Sequence, residues 1–153
     1  MSGIHPVLRF FYSVVLLAAI VFASPVRAET PQARALALGE RALLQALVQE
    51  QLNAFQRDDG EAAYAFAGSR AHQIFPDADT FMRMVRESYP PVYRPRSVVF
   101  GQLMETRSGP IQIVYLGGHD GNAYMALYTF ERQSDGSWLI AGCLLTKNPG
   151  QAI

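Results

Sequence analysis

Two adjacent carboxylates, Asp58 and Asp59, and one histidine, His72, are the side chains with the chemistry to take a proton from carbon. A general base must lie within hydrogen-bond reach of that proton, and a carboxylate must be buried to bring its pKa near neutrality. Asp58-Asp59 stands directly before Gly60, where paired acids also make a solvated turn or cap the next helix, and that structural role is the stronger expectation. His72 is five to seven residues from Asp77 and Asp79, across Phe75-Pro76, so a base and an orienting acid could meet there. A surface or helix-capping histidine is the plainer reading. His119, beside Asp120 in a Gly-Gly-His-Asp-Gly turn, is expected at an exposed hairpin tip.

The second chemical resource is aromatic. Tyr64, Tyr89, Tyr93, Tyr115 and Tyr128, together with Arg94, are the candidate ligand-binding residues, since tyrosines present an apolar body and a polar tip to a cavity. In Tyr93-Arg94-Pro95-Arg96, prolines stiffen a segment with two guanidinium forks that could hold a carboxylate or phosphate. The alternative is an edge strand guarded by proline and charge. Cys143, the only cysteine, lies in the apolar run Leu139–Leu145 and is expected to be a small buried hydrophobe rather than a nucleophile. His72, His119 and one cysteine form no spaced ligand set of the zinc kind, and Asp120-Gly121-Asn122 is too short for a calcium loop. No metal or cofactor is expected.

These residues follow a targeting segment. Arg9 precedes the apolar run Ser13–Ala23, then come Pro25 and the small-residue end Val26-Arg27-Ala28, the three-part pattern of a signal peptide. Cleavage after Ala28 is expected, with export to the periplasm or beyond; an uncleaved anchor over Phe10–Val26 is the alternative. Removing residues 1–28 leaves 125 of the 153 residues, one domain of ordinary size over 29–153. Arg9 and Arg27 leave with the segment, so 11 basic side chains face 13 acidic ones, a net charge of −2 that gives nucleic acid no electrostatic attraction. No stable membrane span is expected after cleavage.

The elements that must position the candidate residues are legible as periodicity. From Ala35 to Arg57 apolar residues recur at three- and four-residue steps, predicting a long amphipathic helix that stops at Asp58-Asp59-Gly60. Glu61–Ala67 predicts a short helix ended by Ala-Gly-Ser at 67–69. A third follows the acidic entry at Asp77 and Asp79 and ends at Pro90-Pro91. Four strands are predicted beyond it, over 93–106, 111–117, 124–132 and 138–146, separated by Gly-, Asp- and Ser-rich turns. Both faces of the third are apolar near its centre, predicting cover on both sides. Glu105 and Glu131, near strand ends, are expected to meet solvent, and Trp138 to be a buried anchor with its indole N–H paired. The sum is an α+β fold: N-terminal helices packed across a curved antiparallel sheet, a cone or half-barrel.

That order of elements resembles the cone-shaped fold shared by nuclear transport factor 2, ketosteroid isomerase and scytalone dehydratase. The runs Gln51–Asp59, Ala63–Ala67, Tyr89-Pro90-Pro91-Val92-Tyr93-Arg94 and Asp135–Cys143 are similar to the bacterial domain of unknown function family numbered 4864. The resemblance implies the cone fold and, because cone-fold proteins often pair through the outer sheet face, a homodimer; it implies no activity. Isomerases of this fold need an oxyanion hole of a tyrosine and a protonated acid, and no sheet residue here supplies the acid. The expected function is therefore a non-catalytic module that binds a small apolar ligand or an envelope protein partner. The rival expectation is a cofactor-free lyase or isomerase using Asp58, Asp59 or His72 as base.

Overall fold

Leu38–Gln56 forms α1 because Leu44, Val48, Leu52 and Phe55 fall on one helical face, and all four are buried. The computed structural model describes residue 36 and residues 38–148. The predicted signal segment and its cleavage site lie outside the described residues. After α1 the chain reverses at Asp58, whose φ of 56° lies in the left-handed region that aspartate tolerates better than most residues. Asp59 then caps α2 (Gly60–Ala65), its carboxylate accepting from the Ala62 N–H at 3.1 Å.

Two short helices were not legible. The Ala-Gly-Ser segment predicted to end α2 instead leads into α3 (Ser69–Ile74), whose N-cap, Gly68, has no side chain to offer. Glu131, far away in sequence, supplies the missing acceptor to the Ser69 N–H at 2.7 Å. Asp77 caps α4 (Ala78–Ser88) as its position predicted, accepting from Thr80 at 2.7 Å. Pro90-Pro91 ends α4 and opens α5 (Pro90–Tyr93), because proline at the first helical positions needs no N–H donor. The first strand accordingly begins at Ser97 rather than at Tyr93.

Four strands, β1 (Ser97–Thr106), β2 (Gly109–Gly117), β3 (Ala123–Arg132) and β4 (Trp138–Lys147), form an antiparallel sheet in sequence order. The sheet is curved and unclosed. Register shifts between Phe100 and Leu103 and between Thr129 and Phe130 mark bulges, which bend strands. The helices pack on one face, where Val114, Leu116, Ala126, Tyr128, Phe130 and Ile140 join Leu44, Val48, Leu52, Phe55, Phe81 and Met82 in a single core. Ala67 bridges Ile140, and the Gly68 N–H donates to the Ile140 carbonyl at 2.8 Å, tying the α2–α3 junction to β4.

Three expectations need correction. Among the described residues β3 is covered on one side: Ala126, Tyr128 and Phe130 are buried, whereas Met125, Leu127 and Thr129 are half-buried on the outer face. Glu105 and Glu131 are held by helices rather than left to solvent. Glu105 pairs with Arg41 and accepts from the Leu36 N–H, while Glu131 takes Ser69. Trp138 is half-buried under Arg132, whose guanidinium carbon is 5.6 Å from the ring centroid, and its indole makes no hydrogen bond among the described residues.

Candidate functional site

Between the helices and the β3–β4 half of the sheet lies a cleft of about 280 Å³. Its deep end is built by Phe55 from α1, Phe81 and Val85 from α4, and Tyr128 from β3, all buried. Its mouth is framed by α3, where Arg70 and Ile74 are exposed. Tyr89, Val92, Ala71 and Phe75 complete much of the wall, so most of the lining is apolar, as ligand pockets are.

The polar groups in the cleft are few. Gln51 is buried with its amide donating to the Ala63 carbonyl at 3.1 Å. Tyr128 is fully buried, and its hydroxyl has no hydrogen-bond partner among the described residues. Cys143 stands opposite Tyr128 in the β3–β4 register. The thiol is near enough to bias the titration of the phenol, although the pair does not form a well-aligned hydrogen bond. Burial first, then the neighbouring Cys143 side chain, pushes the Tyr128 phenol well above its ordinary range. Burial likewise pushes the Cys143 thiol up to about 12, so the sulfur stays protonated and is a poor nucleophile near neutrality.

Of the residues singled out in sequence, Tyr89 and Tyr128 line this cleft. Asp58, Tyr93 and Arg94 meet elsewhere, in a polar latch on the surface. The Tyr93 hydroxyl makes a short hydrogen bond to the Asp58 carboxylate, Arg94 Nη2 reaches it at 2.6 Å and Arg86 Nη2 at 3.2 Å. Both guanidinium groups also lie over the Tyr93 ring, that of Arg94 at 5.0 Å and that of Arg86 at 5.5 Å from its centroid. The Tyr93 hydrogen bond first, then the Arg86 hydrogen bond and the charges of Arg94 and Arg86, hold Asp58 below the usual carboxylate range. Such a carboxylate fastens the α1–α2 turn to α4 and the α5–β1 junction; it is a weak proton acceptor.

The remaining candidates are dispersed. Asp59 is spent on capping α2. His72 packs its ring 4.0 Å from that of Tyr64, and its Nε2 lies 3.1 Å from the Ala67 carbonyl, while Asp77 is engaged by Thr80. The Tyr64 hydroxyl donates to the Phe75 carbonyl at 2.5 Å. Tyr115 is on the outer sheet face, where its ring would collide with a side chain at Gly101. Arg96 parts from Arg94 and borders a second cleft of about 200 Å³ with Ser97, Gly117, Gly118 and Asn122. Asp120, near that turn, accepts from Tyr124 and Asn122, which hold its pKa down at about 2. His119 is exposed, as expected.

Residues 38–153 match the family described as Domain of unknown function (DUF4864). The chain belongs to that family. The match takes in every described helix and strand of this DUF4864 member, and so both walls of the cleft. No curated protein and no solved structure matches the chain. Within the described part of this DUF4864 domain no helix is long and apolar enough to cross a membrane, and no group of three His, Cys, Asp or Glu side chains could hold a metal ion.

Arg70 is the charged lining residue that sequence reasoning missed. It belongs to a helix with no periodicity long enough to detect, and nothing in Ser69-Arg70-Ala71-His72 marks a cavity mouth.

Proposed function

We propose that this protein is an exported, non-catalytic binding module that holds a small apolar molecule in the cleft between its helices and β3–β4. The observation that carries the reading is the composition of that cleft: largely apolar walls around a buried tyrosine hydroxyl without a partner, and no aspartate, glutamate or histidine in the lining, among the described residues. Asp58, Asp59 and His72, the bases of the rival lyase or isomerase reading, are not among the lining residues. Export rests on the signal-peptide pattern of residues 1–28, and kinship with the nuclear transport factor 2 cone on element order.

Native mass spectrometry of the protein purified from its own cell envelope tests the reading. A co-purifying apolar molecule, displaced in Ala71→Phe, is the expected result; Ala71 is half-buried in the wall, and the larger ring would occupy the cleft. Ligand retained unchanged in that variant would place binding elsewhere.

Homodimerisation through the outer sheet face is a second reading, favoured by Val99 and Leu144, which are 53% and 59% exposed there. Leu144→Glu is expected to convert a dimer to monomer in sedimentation-velocity experiments. A wild-type protein that stays monomeric throughout the micromolar range refutes the dimer.

A further inference from the structure

The cleft combines two features that seldom coincide by packing alone. Its body is apolar and buried, yet its mouth carries Arg70, the one charged side chain in the described lining. Arg70 makes no hydrogen bond or ion pair among the described residues. The carboxylate that serves the start of the same helix, Glu131, is taken up by the Ser69 N–H and hydroxyl at 2.7 and 3.1 Å and by Gln133 at 3.1 Å. A guanidinium is a planar fork of donors suited to a carboxylate, and a neighbouring apolar surface strengthens such a pair by thinning the water around it. No carboxylate lines the described interior, either to repel a negative head or to pair with a cationic one.

We propose that the ligand of this cleft is an apolar monocarboxylate, with its carboxylate on Arg70 at the mouth and its hydrocarbon body against Phe55, Phe81 and Val85. This rests on the apolar-binding reading above and adds the head group. Size follows from volume: an apolar cavity of about 150 Å³ accommodates one benzene. The cleft at about 280 Å³ is less than twice as large. Scaled from benzene's six carbons, it holds about eleven non-hydrogen atoms, a body of roughly ten carbons.

The test is a calorimetric titration of the full-length protein with three probes of one chain length, decanoate, 1-decanol and decylamine, each below its aggregation concentration. Decanoate is expected to bind about fivefold more tightly than decanol, the gain of a partly solvated ion pair, and decylamine most weakly. In Arg70→Gln the preference for decanoate over decanol should vanish while decanol affinity stays within about twofold; Arg70→Lys should keep part of the preference. Equal affinities for decanoate and decanol in the wild type, or a preference for decylamine, overturn the head-group assignment and leave the apolar cleft standing. Failure of all three to bind overturns both. The wild-type comparison decides the matter even if a substituted protein does not fold.

Discussion

The two faces of the sheet are built from similar residues and have different fates. Along β3, Ala126, Tyr128 and Phe130 alternate with Met125, Leu127 and Thr129, and either set could serve as a core. Only the first set meets the helices. On that side burial leaves a phenol without a partner among the described residues and holds the half-buried Cys143 thiol protonated up to about 12. On the other, Val99 and Leu144 face solvent. Apolar composition thus marks what a face can do, and cover decides what it does.

The comparison is sharpest when the same substitution is made on each face. Val114 is fully buried on the helix side of β2, and Val99 is exposed on the outer face of β1. Val114→Ala should lower unfolding free energy by about 2–3 kcal/mol, from about 0.8 kcal/mol per lost methylene plus the cavity left behind. Val99→Ala should change it by less than about 0.5 kcal/mol. Urea unfolding measures both, and comparable losses would mean that the outer face is also covered.

Alkaline pH probes the buried face through its two weak acids. In the unfolded chain a thiol ionises at about 8.5 and a phenol at about 10. In the folded protein Cys143 is pushed up to about 12 and Tyr128 well above its usual value. Both folded values are raised, so their stabilising effect is full below the unfolded values and is lost as pH rises. The loss for Cys143 is up to about 1.4 kcal/mol per pH unit above about pH 8.5, and Tyr128 adds to it above about pH 10. A flat urea midpoint from pH 8 to 11 would show that neither group is shielded.

The smallest expected effect isolates the Tyr128 hydroxyl. Tyr128→Phe removes a buried polar atom that has no partner, so stability should stay level or rise by about 1 kcal/mol. Binding in the cleft should weaken if the ligand engages that hydroxyl. A destabilisation above about 1 kcal/mol would reveal a hydrogen bond to it.

Much of this fold was legible because it is written in local pattern. The α1 stripe, the Asp59 and Asp77 caps and the Gly-, Asp- and Ser-rich turns act within a few residues of themselves. Less of the site was legible. Tyr89 and Tyr128 were picked out as tyrosines, but so were Tyr64, Tyr93 and Tyr115, which the chain spends on a carbonyl, a carboxylate and a glycine. No local signal separates a cavity tyrosine from a latch tyrosine, since the difference is the partner across the fold.

By itself, then, the sequence determined the α+β class, the order of its longer elements and the family resemblance. Each depends on residue type and short-range spacing alone. Tertiary structure alone decided that Asp58 is locked between Arg86, Arg94 and Tyr93, that Glu131 completes a helix 62 residues away, and that Arg70 guards an apolar cleft. Each of those depends on which side chains chain reversal and sheet curvature bring within a few ångströms, and short-range periodicity carries no record of such meetings.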